Sequence, residues 1–417
     1  MRTSSIRRSR ARVTASAALG MLLVGIASVP AHAEGIRSQQ WHLDAFGAEE
    51  IWQHSTGKGV TVAVIDTGVE KSNPDLRGQV LDGKDFAPEL SGDQFTDYDG
   101  HGTGMAGLIA GTGARDGGNG AYGLAPGAKI LPVRVPGLRD DDNGNMAESD
   151  EQFNRIVPQA IRYAADSGAQ VINLSLGATT GSQALTDAVK YALGKGSLVF
   201  AAVGNNGDTS NLTAYPGATP GAVGVGAVDN KGKRIPMSQY GDQVDVVAPG
   251  KDTVHACGGG TGLCKSSGTS DATALASASA ALLWSKHPDW TNNQVLKVML
   301  NTIAAPSGGE KRSDYVGYGA LRPLRTLKTP GDPGPAGVRP IDDLTEAAPT
   351  ASATPSAGGD LPSAKPAPEE SSAAPAPGPV ASEEGGGDTG LWIGLGIGAA
   401  VLVGAAVAVP VLRSRRG

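Results

Sequence analysis

Three polar residues stand where an acid, a base and a nucleophile could act together. Asp66 ends the apolar, β-branched run Val62-Ala63-Val64-Ile65-Asp66. His101 lies between glycines in Asp99-Gly100-His101-Gly102-Thr103, and Ser270 closes Ser267-Gly268-Thr269-Ser270. A serine hydroxyl is a poor nucleophile until a general base takes its proton. An imidazole that titrates near neutrality suits that task. A carboxylate on the other ring nitrogen would hold one tautomer and stabilise the imidazolium as it forms. Singly, each residue has a plainer reading: a strand cap, a histidine between glycines, a turn serine. Their joint occurrence in the order Asp, His, Ser points to acyl transfer.

Such side chains need a rigid frame. Residues 60–65, 129–135, 169–174, 198–203 and 222–227 are short apolar runs of the kind that form buried parallel strands. Residues 104–110, 151–167, 183–195 and 271–286 carry helical patterns between them. Strands alternating with helices predict an α/β fold, a mainly parallel sheet covered on both faces. Functional groups then fall just past the C-terminal ends of strands. Asp66 and Asn205 both lie there.

The chain has 417 residues and a net charge of −6, with no basic stripe to suggest nucleic acid. Residues 1–33 read as an export signal: a run of arginines, an apolar stretch, then Ala31-His32-Ala33 as a small-residue cleavage site. Residues 34–50 form a short extension and 51–327 the globular domain. From 328 to 389 Pro, Ala, Ser, Gly and Glu replace the periodic pattern, which predicts a disordered linker. Residues 390–412 are apolar and long enough to span ~30 Å of hydrocarbon as a helix. Arg413, Arg415 and Arg416 follow, so the tail 413–417 is expected in the cytoplasm and the domain outside it. Cys257 and Cys264 flank a small Gly-rich loop and are expected to bond to each other outside the cytoplasm. The alternatives are free thiols or a metal pair, and two ligands without a nearby histidine make a poor zinc site. The acidic loop 139–145 lacks the closing Glu of an EF-hand; a solvated loop is the better reading. No cofactor or metal is required, and calcium is left possible but unassigned.

The three polar contexts resemble those of the subtilisin-type serine proteases, and the likeness covers most of residues 45–325. It implies a three-layer subtilisin-like fold and peptide-bond hydrolysis. It makes Asn205, in Val203-Gly204-Asn205-Asn206-Gly207, the side-chain donor of an oxyanion hole. It makes Ser175, Leu176 and Gly177 the segment that pairs with an extended substrate, and Ala202, Val203 and Gly204 the lining of the pocket before the scissile bond. Two departures stand out. The family nucleophile motif runs Gly-Thr-Ser-Met-Ala-Ser/Thr-Pro; here Asp271 replaces the Met and Ala274 the Pro. A carboxylate beside the nucleophile is expected to raise the basicity of His101.

The layout of signal, short extension, protease domain, Pro-rich linker, single membrane helix and basic tail resembles the mycosins, membrane-anchored proteases associated with type VII secretion. Trp41-His42-Leu43-Asp44-Ala45-Phe46-Gly47-Ala48 is similar to their domain-leading segment. This implies exported proteins as substrates, the type VII membrane complex as partner, and a single-pass location in the cell membrane. The alternatives are a structural subunit of that complex and a general degradative surface protease.

Overall fold

The computed structural model describes residues 35–137, 146–259 and 262–344. The expected signal peptide, the acidic loop 139–145, the linker beyond 344, the membrane helix and the tail lie outside them. Among the described residues no helix is long and apolar enough to cross a membrane.

The frame is a sheet of seven parallel strands: β1 Thr61–Asp66, β2 Lys84–Asp85, β3 Lys129–Arg134, β4 Val171–Leu174, β5 Leu198–Ala202, β6 Val223–Val228 and β7 Val246–Pro249. Their spatial order is β2-β3-β1-β4-β5-β6-β7. Asp66 at the end of central β1 is level with Arg134 on β3. A two-stranded antiparallel ribbon, β8 Thr253–Ala256 and β9 Leu263–Ser266, stands apart, with His255 opposite Cys264.

Side-chain alternation along β1 divides the core in two. Val62 and Val64 join a cluster with Leu108, Leu275 and Leu282, whereas Ala63 and Ile65 join Phe153, Ile161 and Val189 on the other face. A strand covered on both faces is apolar at every position, which is why these runs are continuous. One face carries α3 His101–Ala110 and α6 Thr269–Lys286; the other carries α4 Met146–Asp166 and α5 Gln183–Gly194. α6 is buried from Thr269 to Trp284. Alanine and serine make that possible. They let neighbours approach closely, and the buried hydroxyls find acceptors: Ser277 Oγ donates to Asn173 Oδ1 at 3.0 Å and Ser279 Oγ to Leu275 O at 2.8 Å. Two further helices, α7 Asn292–Asn301 and α8 Pro323–Lys328, complete this side.

Past Lys328, where the sequence reading begins the linker, the chain stays packed on the domain as far as Leu344. Ile341 is buried, Arg339 donates to Gly221 O at 3.0 Å, and Gly221 N donates to Asp343 at 2.9 Å. Ile341 and a set of polar bonds hold this strap, among them Gln294 Nε2 to Gly334 O and Asn301 Nδ2 to Asp332 O, each at 2.9 Å, a pattern with no apolar periodicity to register. Cys257 and Cys264 are disulfide-bonded across the ribbon.

The N-terminal segment, with helices α1 Trp41–Phe46 and α2 Ala48–His54, is part of the same core. Leu43 is fully buried, and the indoles of Trp41 and Trp52 donate to Lys251 O at 2.9 Å and Leu124 O at 3.0 Å. Gln40 is buried and spends both ends of its amide. Its Nε2 donates to Tyr122 O at 2.7 Å and Val254 O at 2.9 Å, and its Oε1 accepts from Tyr122 N at 3.0 Å. His42 is buried beside it, and neither ring nitrogen has a hydrogen-bond partner among the described residues. Burial, with His255 and Arg37 nearby, depresses its pKa from 6.5 to about 3. The depressed value means that the unfolded chain binds this proton first, so His42 erodes stability as pH falls below 6.5 towards about 3. His42→Leu should therefore flatten the acid side of the stability profile, with little change above pH 7. Urea melts at a series of pH values check this; equal acid slopes in both proteins would refute it.

Candidate active site

Each site residue is delivered by the end of an element. β1 presents Asp66 at its C-terminal end, fully buried. α3 begins at His101 itself, three residues earlier than the sequence pattern predicts, because Gly100 takes a left-handed conformation (φ 82°) and turns the chain into the helix. The strand end and the helix start pack closely. A Cβ on Gly102 would lie 3.0 Å from Asp66 Cβ and strike Gly68 O. His101 Nδ1 thereby meets Asp66 Oδ1 at 2.7 Å. That oxygen also accepts from Thr67 N at 2.8 Å, while Oδ2 is buried with no hydrogen bond among the described residues.

Asp97 braces this pair, a role the sequence reading does not assign. Its carboxylate accepts from Thr67 Oγ1 at 2.7 Å, Gly100 N at 2.9 Å, Thr103 N at 2.8 Å and Thr103 Oγ1 at 2.6 Å. It thus ties the residue after Asp66 to the first turn of the His101 helix. The available signal is its position two residues before Asp99 in the motif, as a carboxylate ahead of a helix start.

Ser270 lies in the first turn of α6, whose leading N–H groups have no intrahelical acceptor. Its Oγ donates to Ser175 O at 3.0 Å, and Ser175 Oγ donates back to Ser270 O at 3.1 Å. The segment after β4 is therefore bound directly to the nucleophile. Asn205 is exposed on the segment following β5, and its Oδ1 accepts from Thr269 N at 2.9 Å and Thr269 Oγ1 at 3.0 Å. With the oxygen occupied, Nδ2 is the end left to donate.

A cleft of about 300 Å³ opens at Ser270. Ser175, Leu176, Gly177, Ala202, Gly204 and Asn205 all line it. Val203 does not. Its side chain is fully buried with Val228, Val244 and Val247, since alternation along an extended segment turns it away from Ala202 and Gly204. Leu212, Ala214 and Gln239 complete the wall without having been assigned from the sequence. Gln239 is held by donating Nε2 to Asn206 Oδ1 at 2.6 Å. A second hollow of about 590 Å³ is lined by Thr67, Tyr98, Asp99, Arg134, Pro136 and Gly137, among others. Among the described residues no three His, Cys, Asp or Glu side chains form a metal-binding group.

The electrostatics favour a charged ring. Desolvation pulls the His101 pKa down, but the charge and hydrogen bond of Asp66, followed by the charges of Asp271 and Asp99, outweigh it and raise the value from 6.5 to about 9. The ring keeps 29% of its surface exposed, enough for a substrate or proton to reach it.

A buried carboxylate on an imidazole, and a helix-start hydroxyl and an amide donor that share one cleft, are the parts of a serine hydrolase on a doubly covered parallel sheet. The Subtilase family (Peptidase_S8) matches residues 57–319, and the chain belongs to that family. It is 42% identical over 276 residues to a thermophilic serine proteinase of Bacillus sp. (strain AK1), covering 65% of this chain and 62% of that one. It is 39% identical over 271 residues to subtilisin NAT of Bacillus subtilis subsp. natto, covering 64% and 66%. The chain thus spans just under two thirds of the length of these relatives. Among solved structures it is similar to the MycP3 protease from the type VII (ESX-3) secretion system, with TM-score 0.60, 33% identity, and 69% and 87% coverage. It is also similar to a chain in an intact ESX-5 inner membrane complex, with TM-score 0.63, 27% identity, and 80% and 86% coverage.

Two outcomes follow for hydrolysis of a peptide amide. The base must be neutral to act, so kcat/KM should climb with pH through neutrality towards a midpoint near 9; a profile already flat at pH 7 would contradict the charge balance described. Asn205→Ala should lower kcat about 10²- to 10³-fold with KM little changed, the margin known for such donors in subtilisins. Steady-state kinetics at fixed pH measure it.

Proposed function

We propose that this chain is an extracytoplasmic serine endopeptidase, tethered by residues 390–412, that processes exported proteins at a type VII secretion machine. The observation that carries the catalytic part is the 2.7 Å hydrogen bond between Asp66 and His101. α3, which opens at His101, packs against α6, which carries Ser270. In the reaction Ser270 Oγ leaves the carbonyl of Ser175, gives its proton to His101 Nε2 and attacks the substrate carbonyl. Asn205 Nδ2 and the Ser270 N–H receive the negative charge that develops on the carbonyl oxygen. Asp66 stabilises the imidazolium, which then protonates the leaving amine. Water, activated by the same ring, attacks the acyl-enzyme and releases Ser270. The chemistry calls for no cofactor. Ser175, Leu176 and Gly177 lie where an extended substrate backbone can add alongside, with Ala202 and Gly204 leaving room for its side chain.

The placement at a secretion machine rests on likeness to MycP3 and on the apolar run followed by arginines at the C-terminus. A second reading, a structural subunit of the complex, is favoured by likeness to a chain within an assembled inner membrane complex. Ser270→Ala in the producing cell separates the two. Under the first reading, secreted proteins lose specific N-termini while the membrane complex assembles normally. Under the second, N-termini are unchanged, and only deletion of the whole protein disturbs assembly. N-terminal mapping of secreted proteins, with native electrophoresis of the membrane complex, reads both.

A further inference from the structure

Behind the nucleophile lies a buried polar array that the reaction above does not use. Asp271, the residue after Ser270, is 2% exposed. Its Oδ2 accepts from Thr253 Oγ1 and from Ser266 Oγ, each at 2.7 Å. These hydroxyls come from the two strands of the β8–β9 ribbon. Ser266 Oγ also lies 2.8 Å from Nε2 of His255, which is itself buried. His255 in turn packs against the catalytic histidine's helix: a Cβ on Gly104 would come within 2.9 Å of its Cε1.

Counting hydrogens gives this array a direction. Ser266 has one hydroxyl hydrogen, and a carboxylate oxygen can only accept. Nδ1 of His255 faces Ala256 O at 2.9 Å, so the neutral ring carries its one hydrogen there and its Nε2 is an acceptor. The Ser266 hydrogen is then shared between His255 Nε2 and Asp271, whereas Thr253 donates to Asp271. These hydroxyls hold a carboxylate charge in place at a position otherwise closed to water.

We propose that Asp271 is a positioning residue for the reaction: a second carboxylate, beside Asp66, that stabilises the imidazolium of His101, held for that purpose by Thr253 and Ser266. The charged and titratable groups facing His101 are Asp66 from β1, Asp99 from the turn before α3, Asp271 from α6 and His255 from β8. The three carboxylates favour the charged ring and His255 opposes it. His255 is kept from competing because burial holds its own pKa below 6.5, against the pull of Asp271. The ribbon thus sets a neutral ring behind Ser266 rather than a rival cation.

The inference rests on the peptidase reading, and its test separates the two. The full-length protein is assayed on a chromogenic peptide amide across pH, with folding checked by thermal melting. No cleavage by the wild type overturns the peptidase reading itself. Given cleavage, Asp271→Asn should move the acid limb of kcat/KM down by about one pH unit, so that the variant is relatively more active at pH 7. Ser266→Ala should move it the same way by less. Thr253→Val, which removes the hydroxyl that donates to Asp271, should move it the same way, whereas Thr253→Ser, which keeps a hydroxyl, should restore the wild-type limb. A merely structural role would lower melting temperature without moving the limb. An unmoved limb in Asp271→Asn overturns the proposal. Should that variant not fold, an unmoved limb in Ser266→Ala overturns it instead.

Discussion

The site depends on one buried hydrogen bond, from the His101 ring to Asp66. It sets the tautomer, aims the ring and raises its affinity for a proton. It forms because two backbones approach almost to contact, the end of the central strand and the first turn of α3. Only glycine at 102 allows that approach. The surrounding network serves this geometry. Asp97 clamps both backbones with four hydrogen bonds, and the mutual bonds between Ser175 and Ser270 lock the substrate-side segment to the nucleophile's helix. Asp66 Oδ2 is buried with no donor among the described residues, so the carboxylate's charge is met mainly through Oδ1. A positive ring on Oδ1 offsets that charge, so the resting site is biased towards the charge distribution that acyl transfer creates.

Much of the frame was legible in the sequence because it is built from strands buried on both faces. Five apolar runs became β1, β3, β4, β5 and β6, each ending within a residue of its predicted end. The four predicted helices are present too. What escaped notice was held by other means. β2 has two residues, and the β8–β9 ribbon is polar and half exposed, with its bonding partners in the loops around the nucleophile. The strap to Leu344 has no period at all. At the site, Asp66, His101, Ser270 and Asn205 came from motif context; the first three sit at element ends and Asn205 lies just past β5. Val203, assigned with its neighbours, turns its side chain into the core with Val228, Val244 and Val247 because the segment is still extended there. Leu212, Ala214 and Gln239 come from loops whose folding onto the cleft no local pattern encodes.

The departures from the family motif become intelligible in three dimensions. Asp271 would be costly in an apolar environment, since an unpaired buried carboxylate is strongly disfavoured. Here it coexists with a ribbon that brings two hydroxyls to it, with a histidine behind one of them. The substitution and the ribbon are parts of one local solution, and exchanging either alone leaves polar groups stranded in the interior.

Gln40 links residues far apart in the chain: its partners Tyr122 and Val254 lie 82 and 214 positions later. A chain that emerges N-terminus first carries this glutamine, and His42 beside it, without their final neighbours until the ribbon has been made. The seam closes only when the ribbon arrives, and Ser270 follows the ribbon by a few residues. Sealing of the domain and arrival of the nucleophile therefore coincide. A partial chain that stops short of the ribbon has neither a closed seam nor a nucleophile.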